Sequence, residues 1–194
     1  MEYSYKQFVT EIQNFVDKAI LTSTPVDCRI VETDEDCSYA PQEDSSETAQ
    51  YLHVELLEGD ISPDFIFTYK IDIIYSCILQ LPEIYFSTSK RSKDSGETIH
   101  ILTFDEFKDS ELGKIFEDMN EEQQMAFLTP KYHPISNSIA FTLHECELER
   151  VMRNTESDIA EINYLNRWIS FVFQAIGIQT IYKDKEFIET VFKD

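Results

Sequence analysis

An α+β fold is predicted from three features of this 194-residue chain: an amphipathic helical stripe opens it, segments rich in β-branched and aromatic residues fill its middle, and a second helical stripe follows them. The middle segments are joined by short polar links, which implies an antiparallel meander. Helices then pack against that sheet, the long one towards the C-terminus. One domain spanning 1–194 is the simplest organisation, and no internal repeat is visible.

The elements follow in order. Ser4 with Gln7 three residues on is a capping box, and Phe8, Ile12, Phe15, Val16 and Ala19 recur at helical spacing, so a helix is predicted from Tyr5 to Leu21. Pro25 ends that region, and Asp27 to Glu32 reads as a first strand. Thr33 to Gln50 carries Asp34, Glu35, Asp36, Glu43, Asp44 and Glu47 with few large apolar residues. Such a stretch buries too little surface to offset its ordering entropy and is expected to be a mobile acidic loop, solvated or docked onto a basic partner. Tyr51 to Leu57 and Phe65 to Leu79 read as strands separated by Gly59, Asp60 and Pro63; Pro82 precedes another, Glu83 to Thr88. Lys90 to Glu97 is a polar loop, Ile99 to Leu102 a short strand, and Thr103 to Phe107 and Ser110 to Phe116 short helices; Gln123 to Leu128 is ambiguous. Ser138 to His144 alternates, with Ile139, Phe141 and Leu143 on one face, so a half-buried strand runs into Glu145 and Cys146. Ile159, Ile162, Leu165, Ile169, Val172, Phe173 and Ile176 form the longest helical stripe, with Gly177 as its stop, and Lys185 to Phe192 makes a short terminal helix.

Composition removes several function classes. Lys and Arg number 16 against 37 Asp and Glu, a formal charge of −21, which repels phosphate backbones and anionic membrane surfaces; nucleic acid is not an expected partner. No signal peptide or apolar run long enough to cross a bilayer is present, so a cytoplasmic location is expected. Cys28, Cys37, Cys77 and Cys146 form no CxxC pair and are expected as reduced thiols. Neither GxGxxG nor GxxxxGK[ST] occurs, so no nucleotide cofactor is expected.

The informative stretch is Tyr132-His133-Pro134, then Asn137, then the strand ending in Leu143-His144-Glu145-Cys146. A cysteine just beyond a strand end and before a polar turn is accessible to a bulky partner; a buried structural thiol is the alternative from the residues alone. This stretch resembles the E2-like conjugating enzymes of autophagy, the autophagy-related protein ten family in a fungal-type form, where such a strand ends in Leu-His-Pro-Cys shortly after a His-Pro. Tyr75-Ser76-Cys77 with Pro82, Tyr85 and Phe86 resembles the family's strand pair, and Tyr164 to Gly177 with Trp168 and Ser170 its closing helix. The resemblance covers about 65–178. This chain departs from it at Glu145 in place of proline, at Leu148 in place of threonine, and at Leu79 in place of tyrosine.

The resemblance implies an E2-like fold and a thioester carrier. Cys146 is its nucleophile, receiving the modifier (autophagy-related protein twelve) from an E1-like enzyme (autophagy-related protein seven) and passing it to a lysine of autophagy-related protein five. The cysteine splits one hard acylation into two easier steps. A monomer without cofactor is expected. His144, two residues before Cys146, either assists proton transfer or orients the loop. Asn137 is an oxyanion donor or a turn residue. Leu79 cannot donate a hydrogen bond, and Tyr75, on the same strand face four residues earlier, is the substitute candidate. Cys28 and Cys77 read as structural, and the carboxylates around Cys37 disfavour its thiolate. A metal site from His133, His144 and Cys146 is short of ligands, and a cysteine protease using His133 or His100 has no supporting spacing. The rival reading is an E2-like interaction module that has lost catalysis, with the three departures as its marks.

Overall fold

The computed structural model describes residues 3–33, 48–58, 62–107, 110–117, 127–143, 163–178, 181 and 184–192. It opens with helix α1, Tyr5–Ala19, where the Ser4 side chain accepts from the Gln7 amide and the Gln7 side chain accepts from the Ser4 amide. This reciprocal cap satisfies two otherwise orphaned donors. Phe8, Ile12, Phe15 and Ala19 form its buried stripe. Five strands follow: β1 Asp27–Thr33, β2 Ala49–Glu58, β3 Phe65–Ser76, β4 Leu81–Ser92 and β5 Thr98–Ile101. A 3-10 turn at Phe104–Phe107 leads to the short helix α2, Glu111–Phe116. Next come β6, Leu128–Tyr132, and β7, Ile139–Leu143, then α3, Tyr164–Ala175, and a terminal turn α4, Lys185–Phe187, that continues as a π turn over Ile188–Phe192.

The seven described strands form one antiparallel sheet in the order β1-β2-β3-β4-β7-β6, with β5 also on β4. The first four are a meander, so the α+β class and the helix-on-sheet arrangement expected of an E2-like fold are both present. Alternation along the strands makes two faces. Leu52, Val54 and Leu56 of β2, Phe67, Tyr69, Ile71 and Ile73 of β3, and Ile84 and Phe86 of β4 are buried in one core with α1 and α3. The other face carries a much smaller apolar group, Ile74, Tyr85 and Ala140, with Tyr51 and Ile135 against it.

Helix α3 shows how its ends are set. Asn163 caps its start by accepting from the Leu165 and Asn166 amides. At its other end Gly177 adopts φ 73°, the Ile178 amide donates to Phe173 O at 2.9 Å and the Gly177 amide donates to Gln174 O at 3.1 Å. That pair is a Schellman closure, which needs a residue free to enter the left-handed region. The expected stop at Gly177 is therefore where the helix ends. The stripe residues Ile159 and Ile162 lie outside the described residues.

Several boundaries differ from expectation. Helix α1 stops at Ala19 rather than Leu21, because Ile20 and Leu21 are 63% and 70% exposed and give the helix nothing to bury. Thr33, Ala49 and Gln50, expected in the acidic loop, pair across β1 and β2; 34–47 lie outside the described residues. Strand β3 ends at Ser76, not Leu79: 77–80 is a turn closed by the Gln80 amide donating to Ser76 O at 2.8 Å, with Gln80 at φ 54°. Lys90 to Ser92, expected as loop, continue β4 because β3 pairs with all three and β5 with Lys90 and Arg91. Strand β6, Leu128–Tyr132, was not expected; only its first residue lies in the ambiguous segment Gln123 to Leu128.

Candidate functional site

Cys146 and His144 lie outside the described residues; the strand that precedes them does not. Leu128 faces Leu143 and Tyr132 faces Ile139 in the β6–β7 hairpin, and β7 meets β4 antiparallel at Phe86 and Phe141. Residues after Phe141 therefore run towards the beginning of β4, the end of the sheet that carries the Cys77–Gln80 turn. Strand β5 occupies the same edge of β4 from Thr88 onward. The other end of the hairpin thus cannot follow β4, and its loop instead lies across the sheet face opposite the core.

That loop is closed locally. The His133 amide donates to Ser138 O at 2.7 Å and the Asn137 amide to His133 O at 2.9 Å, with Asn137 at φ 54°. The left-handed backbone suits asparagine, so Asn137 is a turn residue in the described structure, and its exposed side chain stands at the end of β7 away from Leu143.

His133 is the buried member of the loop, at 4% exposure. Its Nδ1 accepts from the amides of Ile135 at 3.2 Å and Ser136 at 3.1 Å. An imidazole nitrogen that accepts cannot carry the proton, so the neutral ring is protonated on Nε2. Nε2 lies 3.1 Å from Asp72 Oδ2, an ion-pair distance without the geometry of a formed hydrogen bond, and no other acceptor is placed on it among the described residues. Asp72 Oδ1 is 2.6 Å from Nδ1 of His53, its direct cross-strand neighbour in the β2–β3 register. One carboxylate is thus held between two imidazoles. Burial pushes the Asp72 carboxyl up, but the hydrogen bonds from His133 and then His53 outweigh it and hold the group below its ordinary value. The Tyr85 ring meets His133 edge-on at a centroid distance of 5.3 Å, with Tyr51 at 6.4 Å.

Tyr75 sits at the turn end of β3, on the core face. Its hydroxyl is buried and donates to Tyr3 O at 2.7 Å. Tyr3 in turn donates from its own hydroxyl to Glu11 Oε2 at 2.7 Å, and the same oxygen accepts the Leu165 amide at 3.0 Å. These bonds tie α1, β3 and the start of α3 together. Burial first, then the bond to Glu11, raises the Tyr3 phenol well above its usual range, and burial first, then Glu11, takes Tyr164 to about 12. Because the strand ends at Ser76, the alternation that linked Tyr75 to Leu79 does not hold; Leu79 belongs to the turn.

Cys28 and Cys77 are half-buried, and burial raises both thiols, Cys28 to about 12. Neither is a ready nucleophile. Cys37 is outside the described residues. Among the described residues no cluster of three or more His, Cys, Asp or Glu is disposed to hold a metal. His133 Nδ1, occupied by two amides, has no lone pair to offer. His53 and Asp72 were missed from sequence. Their signal was present but weak: each is a polar residue at an alternating position of an apolar strand, and the register makes them neighbours.

The family described as autophagocytosis-associated protein, active-site domain, matches residues 5–182. That span begins at the first residue of α1 and is wider than the 65–178 region whose motifs carry the resemblance. The ubiquitin-like-conjugating enzyme ATG10 of Homo sapiens is 26% identical over 121 residues, 57% of this chain and 49% of the human protein. The chain spans about half the length of this curated relative.

Proposed function

This chain belongs to the autophagocytosis-associated active-site family, and from that premise we propose that it is an E2-like conjugating enzyme that carries a ubiquitin-like modifier on Cys146. The observation that carries this reading is the family match over nearly the whole chain, together with a cysteine three residues after β7 and two after a histidine. The thiolate of Cys146 attacks the carbonyl of the modifier held as a thioester on an E1-like enzyme, and the E1 thiolate leaves. A lysine amine of the acceptor then attacks the new thioester; a C–N bond forms, the C–S bond breaks, and the amine loses a proton as Cys146 leaves as thiolate. The modifier, E1 and acceptor are those the resemblance implies, autophagy-related proteins twelve, seven and five, and the reaction is cytoplasmic. His144 supports the proton movement. Glu145, Glu147 and Glu149 around the cysteine disfavour its thiolate and help orient or deprotonate the incoming lysine amine.

The test is charging in vitro. Chain, E1-like enzyme, modifier and ATP should give a band lost on thiol treatment. Cys146→Ser should give a thiol-resistant oxyester, while serine at Cys28, Cys37 or Cys77 should leave charging intact. His144→Gln and Asn137→Ala should slow discharge to lysine if these side chains assist transfer. A thiol-sensitive adduct on Cys146→Ala overturns the assignment of the nucleophile. No adduct on the wild type, with binding to E1 or modifier retained, turns the reading to the interaction module.

A further inference from the structure

The geometry points to a polar clamp, His53–Asp72–His133, that pins the β6–β7 loop onto the outer face of the sheet and so sets the direction in which β7 leads towards position 146. This inference rests on the proposed function for its catalytic consequence, but its structural content stands by itself. Three observations carry it. The loop has little aliphatic anchorage: Ile135 packs against the small outer cluster, and the other contact described is the His133 ring itself, edge-on to Tyr85 and Tyr51. His133 is hydrogen-bonded to its own loop through Nδ1, and its buried Nε2, which has no other partner among the described residues, lies 3.1 Å from Asp72 Oδ2 on the sheet. Asp72 is itself fixed from the neighbouring strand by His53 at 2.6 Å, so the carboxylate cannot swing away with the loop. His133, Asp72 and His53 are positioning residues: none is argued to touch the modifier.

The tautomers make the clamp testable. With Nδ1 occupied by two amides, His133 must present Nε2–H, and the carboxylate accepts Nδ1–H from His53. In Asp72→Asn only one carboxamide atom accepts. It is claimed by His133, whose tautomer the loop amides fix, so the carboxamide NH2 faces His53 and forces that ring into its Nε2–H form. The clamp survives, with one proton moved. Asp72→Leu satisfies neither ring. In His133→Asn the short side chain still accepts the Ile135 and Ser136 amides but cannot reach Asp72, which separates the closure of the loop from its attachment to the sheet.

The experiment combines nitrogen NMR of labelled histidine, amide exchange and single-turnover charging on the full chain. Expected are His133 as Nε2–H and His53 as Nδ1–H in the wild type, and a switch of His53 alone in Asp72→Asn, which charges close to the wild-type rate. His133→Asn and Asp72→Leu should charge about tenfold more slowly or worse, the scale of a small misplacement of reacting groups, although the Ile135 and Ser136 amides of His133→Asn stay protected. An Nδ1–H form of His133, or a His133→Asn that charges as the wild type does, overturns the clamp. If the wild type does not charge, the proposed function fails, and the clamp is decided by the imidazole resonances alone.

Discussion

Ile169→Ala tests whether α3 is a core element or a partner-facing one. Ile169 is fully buried, between Leu165 and Val172 on the same stripe and beside Trp168 and Phe173. The substitution removes the three carbons beyond Cβ, a transfer loss of about 2.4 kcal/mol at roughly 0.8 kcal/mol per methylene. The space left, roughly 80 Å³ if the neighbours stay put, adds up to about 2 kcal/mol at some 24 cal/mol per Å³. The expected cost is therefore about 2.5 to 4.5 kcal/mol, lower within that range if Val172 and Leu165 close in. The chain supplies its own probe: its single tryptophan, Trp168, is 1% exposed, so its emission should redden on unfolding. Urea titrations should show a lower midpoint at unchanged slope. A loss below about 0.5 kcal/mol would refute the packing argument, because no fully buried isoleucine is that cheap to truncate, and would assign that face of α3 to a partner.

Asp72 titrates lower folded than unfolded, so the stability it contributes is present above the unfolded carboxyl value of about 4 and is lost as pH falls through the folded value. Urea midpoints of wild type minus Asp72→Asn should accordingly shrink on acidification below about pH 4, and a difference flat across that window would contradict the bonding described. Tyr75→Phe removes the donor to the Tyr3 carbonyl and should cost about 1 to 3 kcal/mol in urea; unchanged stability with slowed discharge would instead mark the phenol as a participant in transfer. Shortening the acidic segment within 34–47, while keeping the paired Thr33 and Ala49, should leave the midpoint nearly unchanged, since loop length costs only about 0.6 kcal/mol per doubling. A large drop would show that this segment contributes packing.

What could be read from sequence was decided by how local the physics is. The Ser4–Gln7 cap and the Gly177 stop each involve residues a few positions apart, and both occur where their signals stand. The turn at 77–80 was hidden because Ile78 and Leu79 prolong an apolar run and no glycine marks it; Gln80 takes the left-handed conformation instead. Strand β6 was hidden by Pro130, which cannot donate to a ladder and is tolerated because β6 is an edge of the described sheet. The β4 extension was hidden by its polar residues, which are held by pairing with β3 and, at Lys90 and Arg91, with β5 as well, rather than by burial. At the candidate site, motif resemblance singled out Cys146 and its neighbours, but the Asp72 cluster joins positions 53, 72 and 133, and only the tertiary register brings those together.

The two polar networks also have complementary places in the chain. His133 and Asp72 secure the loop just before β7, the strand after which the chain continues to Cys146. Glu11, from α1, takes both the Tyr3 hydroxyl and the Leu165 amide at the first turn of α3, where the described chain resumes. Each anchor is a carboxylate contributed by a distant element; the Asp72 anchor stands over the small outer cluster, whereas the Glu11 bonds add to the core packing of Tyr3, Tyr164 and Leu165. A carboxylate anchor has a consequence that an apolar one lacks. In a chain of net charge −21, the ionised form of Asp72 depends on its two imidazole partners, which hold its carboxyl below the ordinary value against the pull of burial. Losing one partner therefore leaves a half-buried carboxylate oxygen short of a hydrogen bond. Each attachment is held by more than one donor at once, His53 with His133 on Asp72 and Tyr3 with Leu165 on Glu11. Orientation of the chain on either side of the 144–162 segment is thus coupled to carboxylate bonds from other elements as well as to apolar packing.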